Sequence, residues 1–79
     1  MPRDLPTDDD WITERLIAAG RRIQEERARQ NLTQEAVYLA ARVDRRTFQA
    51  VEAGQGNPTA TTLLKLAYVL GIPPEDLFR

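Results

Sequence analysis

The stretch LTQEAVYLAARVDRRTFQAVEAG, from Leu32 to Gly54, decides how the chain folds. Its apolar residues Leu32, Val37, Ala41, Val43, Phe48 and Val51 are spaced as one helical stripe interrupted by a single turn. Thr33 has the hydroxyl to cap a first helix and Asp44 the carboxylate to cap a second. Gly54 stands where a chain leaving a helix takes a positive φ. The spacing predicts two short helices, at about 33–41 and 44–53, joined by a turn at Ala41 to Val43. Helices this short are marginal alone, so the rest of the chain must supply a core for them.

Upstream, MPRDLPTDDD opens with an acidic, proline-containing arm over residues 1–8, and a single domain is expected over 9–79. A first helix should run from about Asp9 to Gln30, about 30 Å at 1.5 Å per residue. The acids Asp8 to Asp10 suit its positive end. Ile12, Leu16, Ala19 and Ile23 form its buried stripe, and Arg27 continues the stripe one turn further. An unpaired charge there would cost roughly several kcal/mol, so Arg27 needs a partner. Downstream, Gln55 to Pro58 reads as a loop. Thr59 then caps a helix whose inner face is Leu63, Leu66, Ala67 and Leu70, ended by Gly71. Pro74 suits the first turn of a short last helix, with Leu77 and Phe78 turned inward.

Composition narrows the chemistry. A chain of 79 residues has room for one domain and buries only about 60% of its unfolded surface. It contains no cysteine, histidine or serine, which removes disulfides, thiolate metal sites and the usual bases and nucleophiles. An enzyme is not expected, and neither is a metal or a cofactor. Asp8 to Asp10 lack the spacing of a calcium loop. No apolar run approaches the ~20 residues of a membrane span and no signal-peptide pattern is present, so a cytoplasmic location is expected. The net charge of −1 conceals a division. Residues 1–14 carry one arginine against five acids, net −4, and residues 15–79 carry ten basic against seven acidic residues, net +3. Five scattered aromatic residues offer no stacking platform for single strands.

From about Ile23 onward the chain resembles the helix-turn-helix family of phage Cro and lambda-type repressors. The resemblance rests on LTQ at Leu32 to Gln34, VEAG at Val51 to Gly54, NPT at Asn57 to Thr59 and LLKLAYVLGIPPEDLF from Leu63 to Phe78. Each is common singly, but their order and spacing together are specific. The resemblance implies an all-α, compact five-helix bundle of lambda-repressor type, here with an extended first helix. It also implies a sequence-specific double-stranded DNA-binding transcriptional regulator, working as a homodimer on a near-palindromic operator.

Candidate contact residues follow from helix geometry. Phe48 and Val51 must face the core, which leaves Arg45, Arg46, Gln49 and Ala50 on the opposite face as candidates for base contact. The family reads bases from the positions that fall on Arg45, Arg46 and Ala50. Arginine pairs bidentately with guanine, so guanine-containing half-sites are expected. Thr47 is a phosphate candidate, as is Gln34, whose family counterpart anchors the DNA backbone. Gln55 and Asn57 are either phosphate contacts or plain turn residues. The family often pairs the arginine at Arg27 with a glutamate at the end of the second motif helix, here Glu52, as a structural ion pair. Arg21, Arg22 and Arg29 read as a solvated helix face.

Two positions depart from the family pattern. Tyr38 replaces a small residue in the first motif helix, so it must tilt outward or displace the second. Arg42 replaces the turn glycine and must adopt a left-handed conformation, at roughly 1 to 2 kcal/mol, unless the turn differs. Leu39 beside Tyr38 should be exposed. The rival reading is a protein-binding module of the same fold, such as an antitoxin that holds another protein. The acidic arm with Trp11 and Ile12 favours it, with Trp11 capping the core or a dimer seam as the plainer alternative.

Overall fold

Three short polar side chains start three of the helices. In the computed structural model, which describes residues 1–79, Thr33 Oγ1 accepts from Ala36 N at 3.0 Å and Asp44 Oδ2 from Thr47 N at 3.0 Å. Thr59 Oγ1 accepts from Thr62 N at 3.1 Å. Each satisfies an N–H that the helix itself leaves unpaired. The elements are α1 (Asp10–Arg29), α2 (Gln34–Ala41), α3 (Arg45–Glu52) and α4 (Ala60–Leu70), followed by a 3-10 turn at Pro74–Asp76. There is no strand, and no helix is long and apolar enough to cross a membrane.

The expected fifth helix is thus a single 3-10 turn. Asp76 N bonds Pro73 O at 2.9 Å and Leu77 N bonds Pro74 O at 3.2 Å, so the backbone bonds close over three residues. Proline at both 73 and 74 removes two donors from the segment. Leu77 is buried as expected, whereas Phe78 stays on the surface.

The core gathers Ala19 and Ile23 of α1, Val37 and Ala41 of α2, Phe48 and Val51 of α3, and Leu63, Leu66, Ala67 and Leu70 of α4. Val43, Ile72 and Leu77 close its ends. The α1 stripe begins later than its spacing suggests. Ala19 is its first buried residue, Leu16 is half-buried, and Ile12 is exposed because the first two turns of α1 project beyond the elements that would cover them. Trp11 on this overhang is 44% exposed and therefore does not cap the core.

Gly20 sets the separation of α1 and α3. A Cβ at this position would overlap the Val51 carbonyl oxygen and lie 3.0 Å from that of Glu52, so the two backbones meet with only a hydrogen between them. Gly54 ends the α3 segment at φ 69°, where a Cβ would lie 2.8 Å from the Ile17 Cα. At the other end of α1, Gln30 Nε2 donates both to Glu26 Oε1 at 3.1 Å and to Leu70 O at 2.8 Å, which ties the last turn of α1 to the end of α4. Arg29 and Arg22 also donate to the Glu26 carboxylate, so these two arginines are not simply solvated. Hydrogen bonds from Arg29, then Gln30, hold the Glu26 carboxyl down at about 2.

Candidate nucleic-acid interface

The turn between α2 and α3 fixes how α3 is presented. Arg42 adopts the left-handed conformation, φ 58° and ψ 43°, and its N–H bonds Leu39 O at 3.2 Å. The turn keeps the shape that glycine would give it, and a non-glycine residue carries the strain. Tyr38 is half-buried and lies against Phe48, with ring centroids 6.0 Å apart and planes inclined by 52°. It therefore packs on the edge of the core, while Leu39 is exposed.

With Phe48 and Val51 buried, α3 turns Arg45, Arg46 and Gln49 outward and leaves Ala50 half-buried. Arg45 and Arg46 enter none of the four ion pairs, so both guanidinium groups are free on the first turn of the helix. Arg46, Thr47 and Ala50 line one shallow concavity with Gln55, Asn57 and Pro58 of the following loop. The structure therefore brings five of the candidate contact residues around one depression, with Arg45, Gln49 and Gln34 outside it.

Thr47 is already engaged, since its hydroxyl donates to Asp44 Oδ1 at 2.6 Å while its N–H bonds Oδ2. These two bonds, the hydroxyl first, hold the Asp44 carboxyl below its ordinary value of 3.8, with a smaller contribution from the charge of Arg46.

Behind this surface lies a partly buried ion pair. Arg27 Nε donates to Glu52 Oε2 at 2.7 Å and Nη2 to Oε1 at 3.2 Å, while Nη1 reaches Leu32 O at 3.0 Å. The Glu52 side chain is only 4% exposed. The fork of two parallel bonds is the geometry that a guanidinium and a carboxylate favour. Gln34 Nε2 adds a third bond, to Glu52 Oε1 at 2.9 Å, and Gln34 Oε1 faces Gln49 Nε2 at 3.5 Å. Gln34 thus stands between the core pair and the outer face of α3, a position its place at a helix start did not signal.

Some features were not anticipated from sequence. Gly20 had a signal, because a glycine inside an otherwise regular helix needs a packing reason. So did Leu64 and Tyr68, an i, i+4 apolar pair on the outer side of α4, which are 51% and 88% exposed. No group of three acidic side chains is placed to hold a metal ion.

A helix-turn-helix family model matches residues 23–77, well over half of the chain. The chain belongs to the Cro/CI-type helix-turn-helix family and is a DNA-binding transcriptional regulator of that class. Its structure is similar to that of the restriction-modification controller protein C.AhdI from Aeromonas hydrophila, with a TM-score of 0.74. The two sequences are 38% identical, over 80% of this chain and 96% of that one. No curated protein sequence matches the chain.

Proposed function

We propose that the chain binds a near-palindromic duplex operator as a homodimer, with α3 of each copy entering the major groove. The observation that carries this reading is the pair of free, exposed guanidinium groups of Arg45 and Arg46, on the first turn of a helix whose other face is locked into the core. Each arginine meets guanine O6 and N7, and Ala50 contributes at most contact with a thymine methyl. Phosphate contacts come from Gln55, Asn57, the Thr47 hydroxyl once it leaves Asp44 and the free N–H groups at the start of α2, whereas the Gln34 side chain, expected on the DNA backbone, is held by Glu52. The likeness to C.AhdI makes control of a restriction-modification system the regulatory task most directly supported.

Dimerisation is supported by the outer face of α4. Leu64 and Tyr68 form a ridge between two grooves. Arg42 and Lys65 line one groove, while Ile72, Pro73 and Pro74 line the other, next to exposed Glu75. A two-fold axis along the ridge sets the basic side of one copy against the acidic side of the other. An axis across the ridge would oppose like charges. Recognition helices about 34 Å apart then reach successive major grooves.

Selection of bound sequences from random duplex DNA tests the reading, with an inverted repeat containing guanine in each half as the expected result. Absence of any enrichment at low salt overturns it. The second reading, a protein-binding module such as an antitoxin, is favoured by the arm and the overhang, where Leu5 on the former and Trp11, Ile12 and Ile17 on the latter are all exposed. A chain lacking residues 1–11 separates the two: an unchanged operator affinity with a lost protein partner supports the second role.

A further inference from the structure

We infer that Gln34 fixes the orientation of the Gln49 carboxamide and so makes Gln49 a reader of adenine, a conclusion that rests on the DNA-reading role proposed above. The orientation starts in the core. The Glu52 carboxylate accepts from Arg27 through both oxygens and from Gln34 Nε2 at 2.9 Å. A carboxylate in such a fork accepts and does not donate, so Gln34 must turn its NH2 group inward. The opposite rotamer would set two oxygens against each other inside a site where Glu52 is 4% exposed. Its carbonyl Oε1 is therefore left facing outward. Gln49 Nε2 lies 3.5 Å from that oxygen.

An acceptor at this place attracts the NH2 side of Gln49 and repels its oxygen. Gln49 then keeps one N–H and its Oε1 free, side by side, on the exposed surface of α3. That donor and acceptor pair matches N7 and the N6 amino group of adenine in the major groove. Guanine presents two acceptors on the same edge, so the Gln49 oxygen would meet guanine O6 without a proton between them. Gln34 acts here as a positioning residue whose effect on base choice is exerted through Gln49.

The test is random-duplex selection with the wild-type chain, Gln49→Ala, Gln34→Ala and the double variant, each with its melting curve. The wild type is expected to select adenine at one position per half-site, and Gln49→Ala to lose that preference by about tenfold. Gln34→Ala should lose most of the same preference and leave the guanine positions read by Arg45 and Arg46 intact. The double variant should be no worse at that position than Gln49→Ala. Gln34→Met keeps the length without the carbonyl and repeats the comparison if Gln34→Ala does not melt cooperatively. A Gln34 variant that weakens all sequences equally and keeps the wild-type motif overturns the inference, as does a Gln49→Ala motif with adenine unchanged. A wild-type chain that selects no motif overturns the DNA-reading role itself, and this inference with it.

Discussion

Arg42 holds a left-handed backbone that glycine would adopt without strain. The Arg42→Gly chain should gain up to about 1 kcal/mol in urea denaturation, because the relief of about 1 to 2 kcal/mol is partly offset by the greater freedom of glycine in the unfolded chain. Arg27→Met should act in the opposite sense, leaving a buried carboxylate without its cation and lowering stability by about 3 kcal/mol. Arg45→Ala should relax one guanine position per half-site and keep the melting temperature, since its side chain packs on nothing in the core. A motif identical to that of the wild type would exclude Arg45 from base contact. The sequence makes some of these roles legible and not others. An arginine on an apolar stripe announces that an acid must be close, and the strain at Arg42 follows from the turn that its neighbours demand. The inward rotation of Gln34 was not legible, because it depends on which atoms of the Glu52 carboxylate stay open after Arg27 has docked.

Among the elements, α2, α3 and α4 were readable because each begins at a side chain whose oxygen reaches the third residue of its helix. The last segment was misread because proline at the start of a helix and proline at a single 3-10 turn look alike in sequence. The α1 overhang was misread for another reason: Ile12 has the right spacing for the core, but spacing does not say whether another element reaches that far. The last turn of α1 carries its own pH signature. The folded chain holds Glu26 as a carboxylate down to about 2, whereas its ordinary value is 4.5, so the unfolded chain takes up the proton first as pH falls. The contribution of Glu26 is complete above about 4.5 and is lost progressively toward about 2. Stability measured across that interval should decline, and Glu26→Gln should flatten this part of the curve. An identical acid limb in that variant would show that Arg29, Gln30 and Arg22 do not act through the Glu26 charge.

For the molecule as a whole, the division of charge matters more than its sum. The basic remainder of the chain carries the proposed DNA-facing surface, while the acids of residues 1–14 lie on the arm and the overhang. Operator affinity should fall with salt at a slope of about −0.9 per phosphate neutralised in a plot of log K against log salt. Tyr68→Glu should convert the proposed dimer to a monomer in sedimentation experiments and abolish tight binding to the full inverted repeat, with the fold intact because Tyr68 is so exposed. A dimer unchanged by Tyr68→Glu would move the interface to another face.

The contact at Gly20 has a mechanical consequence. Backbone resting on backbone has no rotamers that can yield, so α1 and α3 turn together as one stiff lever. The Trp11 end of α1 is the free arm of that lever, and a load placed on it reaches α3 through a contact that has no side chain to deform.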